Sequence, residues 1–176
     1  MCNLKSKIMK TSFVNALIVI AFLLSASYSI AQQTQNQDMD FALKAADGGM
    51  LEVNLGQMAL KKGESQKVKD FAKMMVDDHT KVNSELMGFA RKKNIDIPGG
   101  LSNAKKMVAD SLNSQSGNSF DMLYMNMMIA SHEETIGVFQ DEAAGGKDAD
   151  LKKWANAKIP ALKHHLEMAK KLFDQK

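Results

Sequence analysis

The sequence predicts an all-α protein in which four long amphipathic helices pack as a bundle, with one long connection between the second and the third. Three observations predict it. Apolar residues recur at helical spacing over long segments from Phe41 onward, and no segment there alternates with the period of two that a strand requires. Glycines at 63 and at 145–146 mark tight turns between helices long enough to pair as antiparallel hairpins. The connection from Asn94 to Ser119, ~26 residues with a short helix of its own, is long enough to run the ~40 Å length of the bundle. A single crossover of this kind is the ferritin-like connection, and it sets the second and third long helices parallel.

Ahead of the helices, residues 1–31 read as a cleaved export signal. Lys5, Lys7 and Lys10 precede an apolar run from Phe13 to Leu24, and Ser29 and Ala31 put small residues at the positions a signal peptidase reads, so the mature chain is expected to begin at Gln32. Translation from Met9 would give a complete signal of ordinary length. Residues 32–37 are polar and read as a flexible start to a domain spanning 38–176. The first helix is expected from Phe41 to about Lys61, with Asp38 or Asp40 as N-cap and Gly63 as its stop. Gly48, Gly49 and Gly56 inside it cost ~1 kcal/mol each relative to Ala, which close approach of a neighbouring helix would offset.

The second helix, Ser65 to about Lys93, carries Val68, Phe71, Met75, Val82, Leu86 and Phe89 on one stripe, and Asn94 with Pro98-Gly99-Gly100 ends it. A short helix over Leu101–Leu112, capped by Ser102, turns Ala104, Val108 and Leu112 inward, and Asn113–Ser119 reads as a polar loop. The third long helix runs from about Phe120 to Ala144, with Met122, Met125, Ile129, Ile136 and Phe139 inward. The last begins near Asp148 and shows Leu151, Trp154, Ala155, Leu162, Ala169 and Leu172; Pro160 within it predicts a kink or a restart.

Charge and cysteine narrow the function. The formal net charge of +3 resides in the three lysines of the leader, so the mature chain is neutral and offers no electrostatic basis for binding nucleic acid. The single cysteine, Cys2, also lies in the leader. Disulfides, thiolate nucleophiles and cysteine metal sites are thereby excluded from the mature protein. Cleavage also leaves no stable transmembrane segment, which points to the periplasm, with outer-membrane association open.

Several segments resemble a known bacterial family. They are Glu52-Val53-x-Leu55-Gly56-x-x-Ala59, Val68-Lys69-x-Phe71-Ala72-x-x-Met75-Val76-x-Asp78-His79, Phe120-Asp121-x-x-Tyr124 with His132, and Leu151-x-x-Trp154-Ala155 with Pro160-x-Leu162-x-x-His165-Leu166. Together they resemble the family called domain of unknown function 4142, across nearly the whole mature chain. The resemblance implies an exported, ferritin-like helical protein of the periplasm or outer membrane, with no assigned activity.

Polar residues on the apolar stripes are the candidate site. His79 falls between Met75 and Val82, His132 between Ile129 and Ile136, and His165 between Leu162 and Ala169, each on a different helix; Glu52 joins them on the first helix, in phase with Ala45, Gly48 and Leu55. Counting ~1.5 Å per residue from the turns places the four at ~13–20 Å from one end of the bundle, in a shared middle layer. Such a layer suits either a mononuclear Zn²⁺, Cu²⁺ or Fe²⁺ site or a hydrogen-bonded polar layer that fixes helix register, with Asn83 and Tyr124 as further partners. A di-iron site is not expected, because Val76 and Leu162 stand where its Glu-x-x-His motifs need glutamate. His164 lies off the stripe and reads as solvated.

Methionine is abundant, with 14 in the chain, and Met122-x-x-Met125-x-Met127-Met128 concentrates four of them. Met125 and Met128 with His132 would form a second candidate, for Cu⁺, whereas gap-filling in the core is the simpler role. Motifs for serine hydrolysis, phosphate loops and His-Glu-x-x-His zinc sites are absent. The first functional reading is therefore a non-enzymatic envelope protein, a binding or stress module without a cofactor. Its rival is a metal-binding protein using the middle layer or the methionine-rich helix.

Overall fold

The computed structural model describes residues 37–174. The predicted leader, its cleavage site and residues 32–36 lie outside the described residues. Among those described are five helices and no strand: α1 over 37–62, α2 Gln66–Lys93, α3 Asn103–Asn113, α4 Gly117–Gly145 and α5 Ala149–Asp174. The all-α bundle is as the periodicity predicts.

Cross-helix contacts fix the topology. The start of α2 meets the start of α4, where Glu64 and Ser65 donate their backbone N–H groups to Asp121 at 3.0 and 2.9 Å. Further along, Phe71 meets Tyr124 and then His79 meets His132, with ring centroids 6.3 and 5.4 Å apart. Both helices advance together, so α2 and α4 are parallel, and the crossover carrying α3 returns the chain to the same end. α1 runs antiparallel to α4, with Phe41 against Phe139 at one end and Glu52 against Ser131 in the middle. α5 runs antiparallel to α2: Asp148 pairs with Lys93, Trp154 Nε1 donates to Glu85 at 2.7 Å, and His165 reaches Asp78.

The apolar core divides in two. One cluster gathers Leu55, Phe71, Met75, Leu112, Phe120, Tyr124, Met125 and Met128; the other gathers Phe41, Leu86, Ile136, Phe139, Leu151, Trp154 and Leu162. Along every long helix the changeover falls at a buried polar residue: Glu52, His79, Ser131 with His132, and His165. Close approach of α1 and α2 accompanies this layer. A Cβ on Gly56 would sit 2.8 Å from Val76 Cγ2 and 3.2 Å from the Ala72 carbonyl, and one on Gly49 would sit 2.0 Å from Asn83 Oδ1. These two glycines serve the packing expected of them. Gly48, whose nearest neighbour would be 3.8 Å away, does not.

Other expectations fail for identifiable reasons. α1 is already helical at residue 37, so neither Asp38 nor Asp40 is its N-cap. Asp38 instead accepts from the backbone N–H groups of Lys147 and Asp148 at 2.8 and 2.9 Å and ties α1 to the α4–α5 turn. The loop before α4 shortens to 114–116, because the buried Asp121 anchors the first turn of α4 on α2 and Gly117 enters it at φ 56°. In α3, which Ser102 does cap, Ala104 is exposed and Ala109 is buried. Met122 is exposed, and Phe120, Tyr124 and Met128 take the inward positions. Pro160 does not restart α5, which is continuous through it. Pro160 and Asn156, whose carbonyl loses its helical donor, are both exposed, so solvent can replace the missing bond.

At the end tied by Asp38, Glu142 is buried, and Gly146 leaves room for its carboxyl where a Cβ would lie 2.3 Å from Oε1. Burial first, then the negative charges of Asp38 and Asp148, push the Glu142 carboxyl from its ordinary 4.5 up to about 7. The folded chain then holds a proton that the unfolded chain releases, so stability falls as pH rises from 4.5 to about 7 and stays reduced above that. Glu142→Gln is expected to melt at a higher temperature than the native protein at pH 8, by about 2–4 °C per kcal/mol recovered, and together with it near pH 4. Thermal unfolding at the two pH values checks this.

Candidate metal centre

The polar layer is built one residue per helix, because positions that face the bundle axis on four helices meet at the same height. Glu52 and His132 are fully buried, and His79 and His165 nearly so. The three imidazole centroids stand 5.4, 5.5 and 5.5 Å apart, a near-equilateral triangle. One ring nitrogen of each histidine lies within 4.8 Å of those of the other two.

Each ring has one nitrogen engaged by an acceptor. His79 Nδ1 lies 2.8 Å from Glu52 Oε2. His132 Nδ1 lies 2.9 Å from the Met128 carbonyl oxygen and 3.5 Å from Glu52 Oε1. His165 Nε2 lies 3.1 Å from Asp78 Oδ2. Carboxylates and carbonyls only accept, so the engaged nitrogen carries the proton in the neutral ring and the lone pair is left on the other one. Those other nitrogens, His79 Nε2, His132 Nε2 and His165 Nδ1, are buried and have no hydrogen-bond partner among the described residues.

Charge in the layer centres on Glu52. Burial works against its ionised form, but His79 above all, with His132 and a 2.8 Å hydrogen bond donated by Ser131 Oγ, outweighs burial and brings the carboxyl down to about 2. Burial likewise opposes a charged His79, and Glu52 with Asp78 overrides it and raises the imidazole. For His132 burial prevails, opposed by Glu52 and aided by His79, and the ring is lowered. His165 falls to about 4 through burial and the charges of His79 and His132, against the pull of Asp78. The layer thus favours charge on Glu52 and His79 and disfavours it on His132 and His165.

All four sequence candidates meet in this layer, but in different positions. The three histidine rings converge on one another, and Glu52 contacts Nδ1 of His79 and of His132. His164 is exposed, as its place off the stripe implies. Asn83 and Tyr124, expected as further partners in the layer, do not complete it: Asn83 Oδ1 and the Tyr124 hydroxyl are buried without hydrogen-bond partners among the described residues. Met125 and Met128 are fully buried in an apolar cluster, Met128 adding its backbone carbonyl to His132. Sequence reasoning missed Asp78 and Ser131. Each directly precedes a core histidine, and that adjacency was the only signal for a residue one step off the stripe.

The family model described as "Domain of unknown function (DUF4142)" matches residues 24–172. No curated protein matches the chain. Among solved structures, CopM in its Cu(II)-bound form is similar with a TM-score of 0.67 at 17% identity, over 78% of this chain and 96% of that one. CopM in its Cu(I)-bound form gives 0.66 at 16% identity, over 78% and 96%. A DUF305 fragment from Deinococcus radiodurans gives 0.71 at 8% identity, over 80% and 97%. At these identities the likeness carries the helical fold alone.

The buried pair makes a direct prediction. Glu52→Gln, which keeps the shape and removes the charge, is expected to lower the unfolding free energy by about 1–3 kcal/mol, and Ser131→Ala by about 1 kcal/mol. Urea denaturation at pH 7 reads both, and unchanged midpoints would show that the pair contributes nothing.

Proposed function

The chain belongs to the DUF4142 family, and on that footing we propose that it is an exported envelope protein that binds one transition-metal ion, copper(II) by preference, through His79, His132 and His165. Of the two functional readings that the sequence leaves open, this one accounts for three buried imidazoles that each offer a ring nitrogen within 4.8 Å of the others while each keeps one nitrogen without a partner among the described residues. Leaving each without a partner costs about 1–3 kcal/mol, and a polar layer that served only helix register would have turned those nitrogens toward acceptors or donors. A divalent ion would engage all three.

The surroundings support the same reading. Histidines that ligate metals usually donate their second N–H to a carboxylate or a backbone carbonyl, which fixes the ring and raises its basicity. Glu52, the Met128 carbonyl and Asp78 stand in those positions for His79, His132 and His165. Glu52 is accordingly proposed as an orienting residue and a counter-charge rather than a ligand. With a metal ion on His79, Glu52 across the ring would balance the added charge. Ions of this kind sit ~2.0 Å from imidazole nitrogen, so the rings would close in from their present spacing.

Three imidazoles without thiolate suit copper(II) and zinc, with copper(II) the tighter in the general order of divalent affinities. The fold is compatible with copper, since CopM carries Cu(II) and Cu(I) on a similar bundle. The lysine-led apolar leader supports export. No helix among the described residues is long and apolar enough to cross a membrane.

Titration of metal-free protein tests the proposal. One equivalent of Cu²⁺ is expected to bind, and at 100 times its dissociation constant to add about 2.7 kcal/mol of stability. The melting temperature should then rise by about 5–10 °C. His79→Ala, His132→Ala and His165→Ala should each abolish the rise, and His164→Ala should leave it intact. A flat melting temperature with Cu²⁺ and Zn²⁺ alike would leave only a polar layer. A Cu⁺ response that survives the histidine changes but is lost with Met125 and Met128 would move the site to the methionine-rich helix.

A further inference from the structure

Beside the triad lies a cavity of about 210 Å³, enough for roughly seven water-sized volumes. Glu52, His79 and His165 are among its lining residues, whereas His132 is fully buried and does not line it. Asn83 lines it too, with Oδ1 buried and unpartnered, and Gly49 leaves the space that the Asn83 amide occupies. Lys81 and Lys158 are also in the lining; Lys81 is exposed, and Lys158 is partly exposed and pairs with Glu85.

Three protein ligands leave a four-coordinate ion one position short. Structural metal sites fill that position with a fourth side chain, and sites that handle exogenous molecules leave it to water or a ligand from solution. Here His79 and His165, two of the three ligands, line a cavity whose wall also includes the exposed Lys81. Two carboxylates, Glu52 and Asp78, also line the cavity, and a divalent ion together with Lys81 outweighs them and leaves the cavity favourable for negative charge. We propose that the ion held by the triad keeps an open coordination position on this cavity and takes there a small anion of the carboxylate or pseudohalide class. The proposal rests on the metal-binding reading above. The step is a ligand exchange: the bond from the ion to water breaks, the bond to the anion forms, and no electron or proton is transferred.

The probes are azide and formate, added to full-length mature protein carrying Cu²⁺, with copper content measured by elemental analysis. The native protein should show a saturable azide-to-copper charge-transfer absorption, and formate should compete for it. Ala161→Phe, at an exposed position in the cavity lining, should retain one copper per chain and bind azide about tenfold or more weakly. Lys81→Glu, also exposed, should keep the copper and weaken azide about threefold or more. One copper per chain with no azide absorption would overturn the open position alone, leaving the metal site standing. Equal azide affinity in the native protein and both variants would overturn the cavity as the route. Protein that takes up no copper would overturn this proposal together with the metal-binding reading.

Discussion

A carboxylate buried to 0% exposure between two apolar clusters is the constraint on which the middle of this bundle depends. An isolated ionised group there would be prohibitively costly, so every neighbour of Glu52 is arranged to answer its charge. His79 supplies the counter-charge and Ser131 a hydrogen bond, with the His132 ring edge adjacent. These partners come from two other helices. Satisfying one residue on α1 therefore sets the axial register of α2 and α4, and the Asp78–His165 contact extends that register to α5. The apolar clusters above and below supply most of the hydrophobic stabilisation but are tolerant of sliding. The polar layer is not.

The same layer explains two choices elsewhere in the fold. α1 and α2 approach closely because Gly49 and Gly56 lack the Cβ atoms that would collide with Asn83 and Val76, and this proximity allows a short Glu52–His79 contact. Parallel α2 and α4 are required as well. With an up-down-up-down connection the third helix would run the other way, and the residues flanking His132 would face the wrong apolar clusters. The crossover through α3 thus serves the site, although α3 itself packs Ala109 and Leu112 into the apolar cluster with Phe71 and Phe120.

Much of this was legible in the sequence because helical periodicity is a strong signal in long amphipathic segments. His79, His132 and His165 stand out against apolar stripes, and counting residues from the glycine turns places them at one height. The features that were not legible depend on one-residue rotations. Met122 and Ala104 fit a stripe by spacing but point outward, since a stripe about 100° wide admits neighbours on either side. Asp78 and Ser131 look solvated by spacing yet reach partners on adjacent helices. Asp38 reads as a helix cap because local sequence cannot reveal that the helix already runs past it or that its carboxylate binds a turn 109 residues away. Counting puts Glu52 at the height of the three histidines, but spacing cannot tell that its carboxylate contacts Nδ1 of His79 and of His132.

The metal-binding reading requires the imidazoles of His79, His132 and His165 to hold a single ion. X-ray absorption at the copper edge on protein loaded with one equivalent of Cu²⁺ tests it most directly. The expected result is three imidazole nitrogens at about 2.0 Å, one further oxygen or nitrogen ligand in the remaining position and no sulfur scatterer. The nitrogen shell should disappear from the His79→Ala, His132→Ala, His165→Ala triple variant. A dominant sulfur shell at about 2.3 Å, or a nitrogen shell unchanged in the triple variant, would contradict it.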